Sequence, residues 1–362
     1  MKILFITYNT KNTPSCRYRS YQPAEALANS GVSAKVRLIY SLSKKEIDES
    51  DLVIFQRIPQ AVWYFKRLCL PAFLIARRIE EVFHYSIRKK RTGIDLDDYI
   101  FLDENEIKTG VPSDFLPSLF RKCHFVTTTT EFLAGKLRKY NPSVTVLPNA
   151  IDFDLYEKSG YSGEADRIIR QMQSCKKVGR VVFGWAAGET HARDAELFRE
   201  IVGKLDAELR KRVKFFLIGN PKSFPGRDSS VVYPTKRIPW RELPAVLRHL
   251  DTNLVVLKDT LLNRSKSELK LIEAGYFGVP SIASRLGVFG DLIKEGENGL
   301  LASSVSEWIE KIRELVEKKE LRERLGSNIR KLVREHYDLR KRGREYAEYY
   351  EGILQKLAEN VR

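Results

Sequence analysis

The sequence predicts an α/β protein with two doubly wound, parallel-sheet domains. Short apolar runs typical of buried strands alternate with amphipathic helical stretches in both halves of the chain. The alternation stops over 154–180, which has no strand pattern and carries three glycines, and it restarts at Val181. A length of 362 residues also fits two domains of ordinary size.

The predicted elements follow from these apolar runs. Strands are predicted at 2–7, 33–39, 51–56, 94–102, 124–129 and 144–147 in the first half, and at 181–185, 213–218, 253–257 and 280–283 in the second. Helices are predicted between them, including 61–88 and 267–277, and three more close the chain at 306–318, 321–335 and 340–358. In such sheets ligands bind at the carboxyl ends of strands, so we expect a site where two such domains face a common cleft.

The charge of the chain indicates an anionic partner. There are 63 Lys and Arg residues against 47 Asp and Glu residues, which gives a net charge of +16. A nucleic acid, a membrane surface or a phosphorylated ligand would suit this surplus. The surplus is +8 in 1–150 and +8 in 151–362, and no nucleic-acid-binding motif is present, so no nucleic acid is expected.

Cysteine spacing and hydropathy indicate the compartment. The four cysteines have no C-x-x-C spacing, which predicts reduced thiols in a cytosolic protein. The apolar run at the N-terminus is too short for a signal peptide, and no run approaches the ~20 residues of a spanning helix. Aromatic and basic residues at 63–67, with basic pairs at 77–78 and a basic run at 88–91, favour either a helix on an anionic membrane or a buried helix with solvated ends.

The segment 263–284 carries the most chemistry. Ser265 and Glu268 have the spacing of a capping box, and a helix beginning near Ser267 would present free N–H groups to a phosphate. Lys266, Lys270 and Glu273 then fall on one helix face. Cations beside a carboxylate suit the diphosphate and the ribose diol of a nucleotide sugar, although a solvated charge stripe has the same spacing.

The same segment resembles the donor-binding segment of the retaining glycosyltransferases of family 4. The resemblance rests on Glu273-Ala274 and on the Gly-Val-Pro-Ser-Ile-Ala-Ser tail at 278–284. It implies a GT-B fold, a nucleotide-diphosphate sugar as donor, and a ribose-binding role for Glu273. Glu273 corresponds to the second Glu of a pair in the family. The first, which usually contacts the transferred sugar, is replaced here by Ser265, which leaves the donor sugar open. The form with Lys266 and Lys270 is similar to a variant in cell-surface polysaccharide transferases.

The resemblance extends to the loop after the first strand of the second domain. The segment 184–194 is similar to the first strand–loop–helix of the family's donor domain. Gly188 would allow a close backbone approach, and Thr190 or His191 could donate a hydrogen bond to a phosphate. Thr190 fits equally well as the N-cap of the next helix.

Three further segments complete the resemblance. Residues 144–152 are similar to the strand that ends the family's first domain, and 289–301 to the stretch after the donor helix. The tail from 337 is similar to the helix that crosses back to the first domain. These likenesses predict a first domain at 1–155 plus 337–362, a linker at 156–178 and a donor-binding domain at 179–336.

The first domain offers two charged elements. Asp95 or Asp97 would line the acceptor side as a base or hydrogen-bond partner, as the position in GT-B relatives implies. A metal-binding D-x-D or a phosphatase acid pair is disfavoured because strands precede it, whereas helix capping by Asp97 or Asp98 stays open. Arg17 or Arg19 could reach the donor phosphates or an anionic acceptor, with a surface role as the alternative.

The predicted activity is therefore transfer of a sugar from a nucleotide-diphosphate sugar to a glycan or lipid-linked glycan, with the anomeric configuration retained. No obligatory cofactor or metal is expected, because cationic side chains and a helix terminus would neutralise the leaving group. A cytoplasmic enzyme, peripheral on the inner face of the membrane, fits this prediction. The alternatives are a nucleotide-sugar 2-epimerase of the same fold and a non-catalytic α/β protein that binds nucleotides or nucleic acid.

Overall fold

The structure is a computed structural model that describes residues 1–57, 70–89, 91–100, 115–188, 191–219 and 228–359. The chain divides into two compact units. The first unit contains Met1–Ala150, Thr260–Ser267 and Leu339–Arg362, and the second contains Ile151–Asp259 and Glu268–Asp338. The first unit is therefore assembled from three separate stretches of the chain.

A six-stranded parallel sheet forms the centre of the first unit. Its strands are β1 (Lys2–Thr7), β2 (Ser33–Leu38), β3 (Leu52–Gln56), β4 (Arg91–Leu96), β5 (Phe125–Thr128) and β6 (Val144–Val146). Their order is β2-β1-β3-β4-β5-β6, and every neighbouring pair is parallel. The inner strands β3 and β5 are buried along their whole length, and β1 and β4 along all but their first residue. Burial on both faces explains the nearly continuous apolar runs of β1 and β3 in the sequence.

Helices cover this sheet. The described α-helices of the first unit are Pro14–Cys16, Gln22–Asn29, Lys44–Asp48, Leu70–Lys89, Phe115–Lys122, Glu131–Leu137, Leu261–Arg264 and Leu339–Glu359, with a π-helix at Arg17–Tyr21 and a 3₁₀ turn at Ile39–Ser41. The helix Leu339–Glu359 packs on Gln22–Asn29. Gly343 makes this contact possible, since a Cβ there would lie 2.5 Å from the carbonyl oxygen of Ala26.

The second unit contains another six-stranded parallel sheet. Its strands are β7 (Val181–Ala187), β8 (Val213–Gly219), β9 (Val231–Val232), β10 (Thr252–Val255), β11 (Ser281–Ser284) and β12 (Leu300–Ala302), in the order β12-β11-β10-β7-β8-β9. Its described helices are Phe153–Lys158, Gly163–Lys177, Ala192–Gly203, Ala207–Arg212, Leu243–Leu247, Leu269–Gly275, Gly287–Leu292, Val305–Glu317 and Lys319–His336. Two large buried aromatic side chains, Trp185 and Trp308, lie in its core.

The structure corrects several expectations about the elements. The predicted linker 156–178 is wrong, because Gly163–Lys177 is a helix whose Ile168 and Met172 are buried in the second unit's core. The division between the units follows Ala150, five residues before the predicted boundary. The short strands β9 and β12 were not predicted. Of the predicted helix 61–88, residues 61–69 lie outside the described residues, as do residues 101–102 of the predicted strand 94–102.

Two features are absent from the part of the chain that the structure describes. No helix among the described residues is both long and apolar enough to span a bilayer. No group of three or more His, Cys, Asp or Glu side chains in the same part of the chain is arranged to hold a metal ion.

Candidate active site

In the second unit, the carboxyl end of β7 brings predicted residues together. The strand ends at Ala187, Gly188 follows, and His191 is the N-cap residue of the helix Ala192–Gly203. The Nδ1 atom of His191 lies 2.6 Å from Oδ2 of Asp194. Since a carboxylate can only accept, the proton of this hydrogen bond is on Nδ1.

The carboxylate of Asp194 is itself fixed. Its Oδ1 atom accepts a hydrogen bond of 2.8 Å from the backbone N–H of Lys258, which follows β10. His191 and Asp194 are both buried, and the imidazole lies edge-on to the ring of Trp185, with centroids 6.3 Å apart. The imidazole is thus oriented by a carboxylate that is anchored to the segment after β10. Thr190, the other predicted donor in this loop, lies outside the described residues.

Lys270 also lies at the end of β7. Its Nζ atom donates a hydrogen bond of 2.6 Å to the carbonyl oxygen of Ala186. Its own carbonyl accepts a hydrogen bond of 3.0 Å from the side chain of Asn253 on β10. The short helix that carries Lys270 is therefore attached to two central strands, and its cation is placed one residue before the end of β7 and two before Gly188.

Glu273 lies one turn further along the same helix, Leu269–Gly275. It is 8% exposed, and its Oε1 atom accepts a hydrogen bond of 2.9 Å from the hydroxyl of Tyr156. A buried carboxylate normally needs such donors, because desolvation disfavours an unpaired charge. Lys270 and Glu273, three residues apart, thus place a cation and an oriented carboxylate on neighbouring turns.

The predicted capping box is wrong. The helix begins at Leu269, and its N-cap residue Glu268 makes no side-chain capping hydrogen bond. Ser265 instead ends the separate helix Leu261–Arg264: its hydroxyl accepts a hydrogen bond of 2.8 Å from the N–H of Tyr99 and donates one of 2.7 Å to the carbonyl of Leu262. The hydroxyl oxygen of Ser265 therefore accepts from the N–H of Tyr99, and not from the helix N–H group that a capping box would require.

Two consequences follow for the predicted helix face. Ser265, Lys266 and Ser267 precede the helix and belong to the first unit. The prediction that Lys266 lies on one helix face with Lys270 and Glu273 is therefore wrong, and so is a helix N-terminus at Ser267. Only Lys270 and Glu273 share the helix.

In the first unit, Asp95 is engaged in a buried ion pair. Arg19 donates from Nε to Oδ1 at 3.0 Å and from Nη2 to Oδ2 at 2.6 Å, and the Thr127 hydroxyl donates to Oδ2 at 2.7 Å. The side chains of Arg19 and Asp95 are 3% and 4% exposed. The Nη1 atom of Arg19 reaches the carbonyl of Leu147 and the side chain of Asn149. Both carboxylate oxygens are occupied, so this geometry favours a structural role for Asp95 over that of a base.

Asp97 belongs to a second charged cluster, with Asp98, Arg57 and Lys266. The guanidinium of Arg57 donates to both Asp97 and Asp98, and Lys266 Nζ lies 3.6 Å from Asp98 Oδ1. Burial raises the pKa of Asp97 and the neighbouring carboxylates of Asp98 and Asp95 raise it further, while Arg57 opposes them. The cluster is partly exposed, and Asp97 is 14% exposed.

Sequence reasoning missed Arg57. It follows the last residue of β3, and its φ of 50° is in the left-handed region that residues other than glycine rarely adopt. The sequence feature that could have identified Arg57 is its place directly after the apolar run of a buried strand. In the structure β3 pairs with β4 at Gln56 and Asp95. A charged residue at that position lies at the carboxyl edge of the parallel sheet, near the carboxylates that follow β4.

Arg17 is buried in the π-helix Arg17–Tyr21. Its Nη1 atom donates a hydrogen bond of 3.1 Å to the carbonyl of Lys11, and its guanidinium lies 4.9 Å from the ring centroid of Tyr18. These contacts tie it to the loop after β1. The alternative of a surface role is wrong for both arginines, because Arg17 and Arg19 are 5% and 4% exposed.

Comparison with known proteins agrees with this architecture. Residues 193–348 match the family described as glycosyl transferase-like. HepE from Anabaena, in complex with UDP and glucose, has a TM-score of 0.67 at 13% identity over 97% of this chain and 100% of that chain. Sucrose-phosphate synthase from Thermosynechococcus elongatus has a TM-score of 0.67 at 12% identity over 98% of this chain and 100% of that one. No curated protein sequence matches the chain significantly.

A third structure, TarM from S. aureus in complex with UDP, matches 87% of this chain and 58% of its own, with a TM-score of 0.58 and 15% identity. These likenesses confirm the predicted GT-B fold, with its two parallel-sheet units. Residues 193–348 therefore resemble the glycosyl transferase-like family, and the chain has the GT-B fold.

Proposed function

We propose that this protein transfers a sugar from a nucleotide-diphosphate sugar to an acceptor, with retention at the anomeric carbon. The observation that carries the proposal is the pair Lys270 and Glu273 on the helix Leu269–Gly275, with Lys270 held at the end of β7. The cation suits the diphosphate of the donor, and the buried carboxylate suits the ribose diol. These two groups are neighbours in a nucleotide sugar, as Lys270 and Glu273 are on the helix.

The chemistry of transfer requires stabilisation of the departing nucleoside diphosphate. In the proposal Glu273 accepts hydrogen bonds from the ribose hydroxyls, and Lys270 lies against the diphosphate. Gly188 and His191 follow β7, where backbone and side-chain donors suit phosphate oxygens. A hydrogen bond from Thr190 to a phosphate stays a prediction from the sequence. Preorganised donors of this kind lower the barrier because the charge that develops on the leaving group meets groups already in place.

In the first unit we propose Asp97 for the acceptor side, rather than Asp95. Asp95 is enclosed by Arg19 and Thr127, whereas the carboxylate of Asp97 is partly exposed and its pKa is raised by burial. A raised pKa suits a group that exchanges a proton with an acceptor hydroxyl. Donor contacts by Arg17 and Lys266 stay predictions from the sequence. Those of Ser265 and Ser267 were expected from a helix that begins at Ser267, whereas the helix begins at Leu269.

The donor base is proposed to be uracil. HepE has been crystallised with UDP-glucose and with UDP, and TarM with UDP. Both have the fold of this chain, so uridine nucleotides are the first donors to test. For the acceptor we propose a glycan or a lipid-linked glycan, in keeping with the polysaccharide-transferase form of the donor segment.

Nucleotide binding tests the donor site directly. We expect UDP to stabilise the protein in thermal unfolding, by about 2.7 kcal/mol at a concentration of 100 Kd, and GDP and ADP to do so less. Glu273→Gln should weaken this effect strongly. Glu157→Gln is the matched control, since Glu157 accepts a hydrogen bond from Tyr276 in the same unit. If no nucleotide stabilises the protein, or if Glu273→Gln binds as the unsubstituted protein does, the proposed donor site is wrong.

Product analysis separates transfer from its alternatives. A 2-epimerase would convert the nucleotide sugar with no acceptor present, whereas a transferase needs an acceptor for turnover beyond slow hydrolysis. NMR of the first product formed would show whether the anomeric configuration is retained. We propose that the reaction needs no metal ion, so activity should survive EDTA; its complete loss, restored by a divalent ion, would contradict this.

Association with an anionic membrane is the remaining proposal. Helix Leu70–Lys89 carries Arg77, which is 70% exposed, and ends in Arg88 and Lys89. We expect co-sedimentation with vesicles containing anionic lipid, and release by salt, because screening weakens attraction between exposed charges. Equal binding to neutral vesicles, or none to anionic ones, would contradict the proposal.

A further inference from the structure

Tyr156 is a buried residue of the second unit that the sequence did not single out. Its hydroxyl donates a hydrogen bond of 2.9 Å to Oε1 of Glu273, and the two residues are 2% and 8% exposed. We infer that Tyr156 is a positioning residue that orients the Glu273 carboxylate and thereby makes nucleotide binding selective for the ribose hydroxyls. This inference rests on the proposed function, because it needs Glu273 to contact the ribose.

The surroundings of Tyr156 hold its hydroxyl in place. The short helix Phe153–Lys158 begins at Asp152, whose side chain accepts hydrogen bonds from the N–H groups of Asp154 and Leu155. The carbonyl of Tyr156 accepts a hydrogen bond of 2.9 Å from the guanidinium of Arg248. The backbone on both sides of the tyrosine is therefore fixed by polar contacts.

Aromatic neighbours fix the ring as well. Tyr156 stacks on Phe277, with centroids 5.9 Å apart and an interplanar angle of 17°. It meets Tyr276 edge-on, with centroids 5.5 Å apart and an angle of 78°. Phe277 and Tyr276 directly follow the helix that carries Glu273. The same segment thus supplies both the carboxylate and the surface against which the tyrosine ring is packed.

The physical effect of the hydroxyl is to select one orientation of a flexible side chain. A glutamate carboxylate can rotate broadly about its last torsion, and a fixed donor on one oxygen restricts that rotation. Hydrogen bonds to a charged group are stronger than neutral ones, so a misplaced carboxylate would lose much of its interaction with a diol. Orienting the carboxylate before binding reduces the cost of ordering it when the nucleotide arrives.

A purely structural role would give a different result. If Tyr156 only fills the core, removing its hydroxyl would affect every nucleotide to the same extent. If it orients Glu273, the loss falls on ligands that carry both ribose hydroxyls. The chain offers a matched control in Tyr276, whose hydroxyl donates a hydrogen bond of 2.8 Å to Glu157 and whose ring belongs to the same aromatic group.

The test compares the affinities of UDP, 2′-deoxy-UDP and 3′-deoxy-UDP by calorimetry, in the unsubstituted protein and in the variants Tyr156→Phe, Tyr276→Phe and Glu273→Gln. We expect Tyr156→Phe to weaken UDP about tenfold and the deoxy nucleotides much less, so that selectivity for the ribose diol falls. Tyr276→Phe should leave both affinity and selectivity unchanged. Thermal unfolding midpoints of the three variants serve as the control that each remains folded.

The outcomes separate the two hypotheses. If Glu273→Gln loses selectivity but Tyr156→Phe keeps it, the role of Tyr156 is refuted and the proposed donor site stands. A uniform loss for all three nucleotides in Tyr156→Phe refutes the positioning role in the same way. If the unsubstituted protein binds none of the nucleotides, or Glu273→Gln binds and discriminates normally, the ribose site itself is wrong and the inference fails with it.

Discussion

The ion pair between Arg19 and Asp95 gives the sharpest prediction about stability. Asp95→Asn would leave the guanidinium of Arg19 in a site where both side chains are at most 4% exposed. Four hydrogen bonds to the carboxylate would be weakened or lost: those of 3.0, 3.2 and 2.6 Å from Arg19 and that of 2.7 Å from Thr127. Breaking one partner of a buried pair costs about 3–5 kcal/mol, because the remaining charge is uncompensated.

The assay is urea unfolding monitored by fluorescence, with thermal unfolding beside it. We expect the free energy of unfolding of the first unit to fall by about 3–5 kcal/mol, which corresponds to a midpoint lower by roughly 10 °C. Glu131→Gln is the control, since the pair of Glu131 with Arg138 is 72% and 47% exposed and should contribute at most about 1 kcal/mol.

A variant that keeps its stability but loses activity would support a catalytic role for Asp95. If Asp95→Asn unfolds within about 1 kcal/mol of the unsubstituted protein and yet has no transferase activity, the structural assignment is refuted. With Asp97→Asn we expect the reverse pattern, a large loss of turnover with a smaller change in stability. The comparison of the two variants therefore separates the roles of two carboxylates that lie two residues apart.

Three further predictions concern other parts of the structure. Lys270→Met should weaken UDP about tenfold and uridine little, because the lost cation faces phosphate, as titration calorimetry would measure. Gly343→Val should lower the unfolding midpoint, since a Cβ would lie 2.5 Å from the Ala26 carbonyl. The pKa of Glu164 is lowered to about 2: burial raises it, but hydrogen bonds from Arg167 and Thr235 outweigh burial. Its stabilising contribution should be present above pH ~4.5 and lost as the pH falls toward 2.

Each of these has a result that contradicts it. An equal loss of affinity for UDP and uridine in Lys270→Met would place the lysine away from the phosphates. A Gly343→Val protein as stable as the original would mean that the two helices separate at no cost. For Glu164, the comparison is with Glu164→Gln across pH: a stability difference that persists unchanged below pH 2 would show that ionisation of the carboxyl group is not its source.

The sheets could be predicted because buried parallel strands leave a strong local pattern. The inner strands β1, β3 and β5 are buried along nearly their whole length, so their apolar runs in the sequence are unbroken. The strands β9 and β12 were missed because two or three residues show no periodicity. The two strands were therefore missed because they are short, and not because their residues are unusual for strands.

The false linker has a different cause. Gly163 and Gly179 suggest irregular structure in the sequence, yet Gly163 begins the helix Gly163–Lys177 and Gly179 lies two residues after its end. Gly179 has a φ of +77°, the left-handed conformation that commonly follows a helix. The glycines therefore marked the boundaries of a helix whose apolar residues pack in the core.

At the candidate site, residue spacing correctly predicted that Lys270 and Glu273 lie on one helix, but it wrongly predicted that Ser265 caps that helix. The pattern of Ser265 and Glu268 is a good local capping signal, but the serine oxygen is used by the N–H of Tyr99, 166 residues away in the chain. Such a distant partner cannot be read from spacing. The same holds for Tyr156, whose hydroxyl meets a carboxylate 117 residues further on.

The three-part composition of the first unit has a consequence for its synthesis on the ribosome. Its sheet is complete at Val146, but the helix Leu339–Glu359 that covers Phe5 and Phe125 with Tyr350 is made almost 200 residues later. At about 5–20 residues per second, the nascent sheet waits roughly 10–40 s with that apolar face uncovered. During this interval the growing chain is a natural client for a chaperone, and truncation before Leu339 would make the exposure permanent.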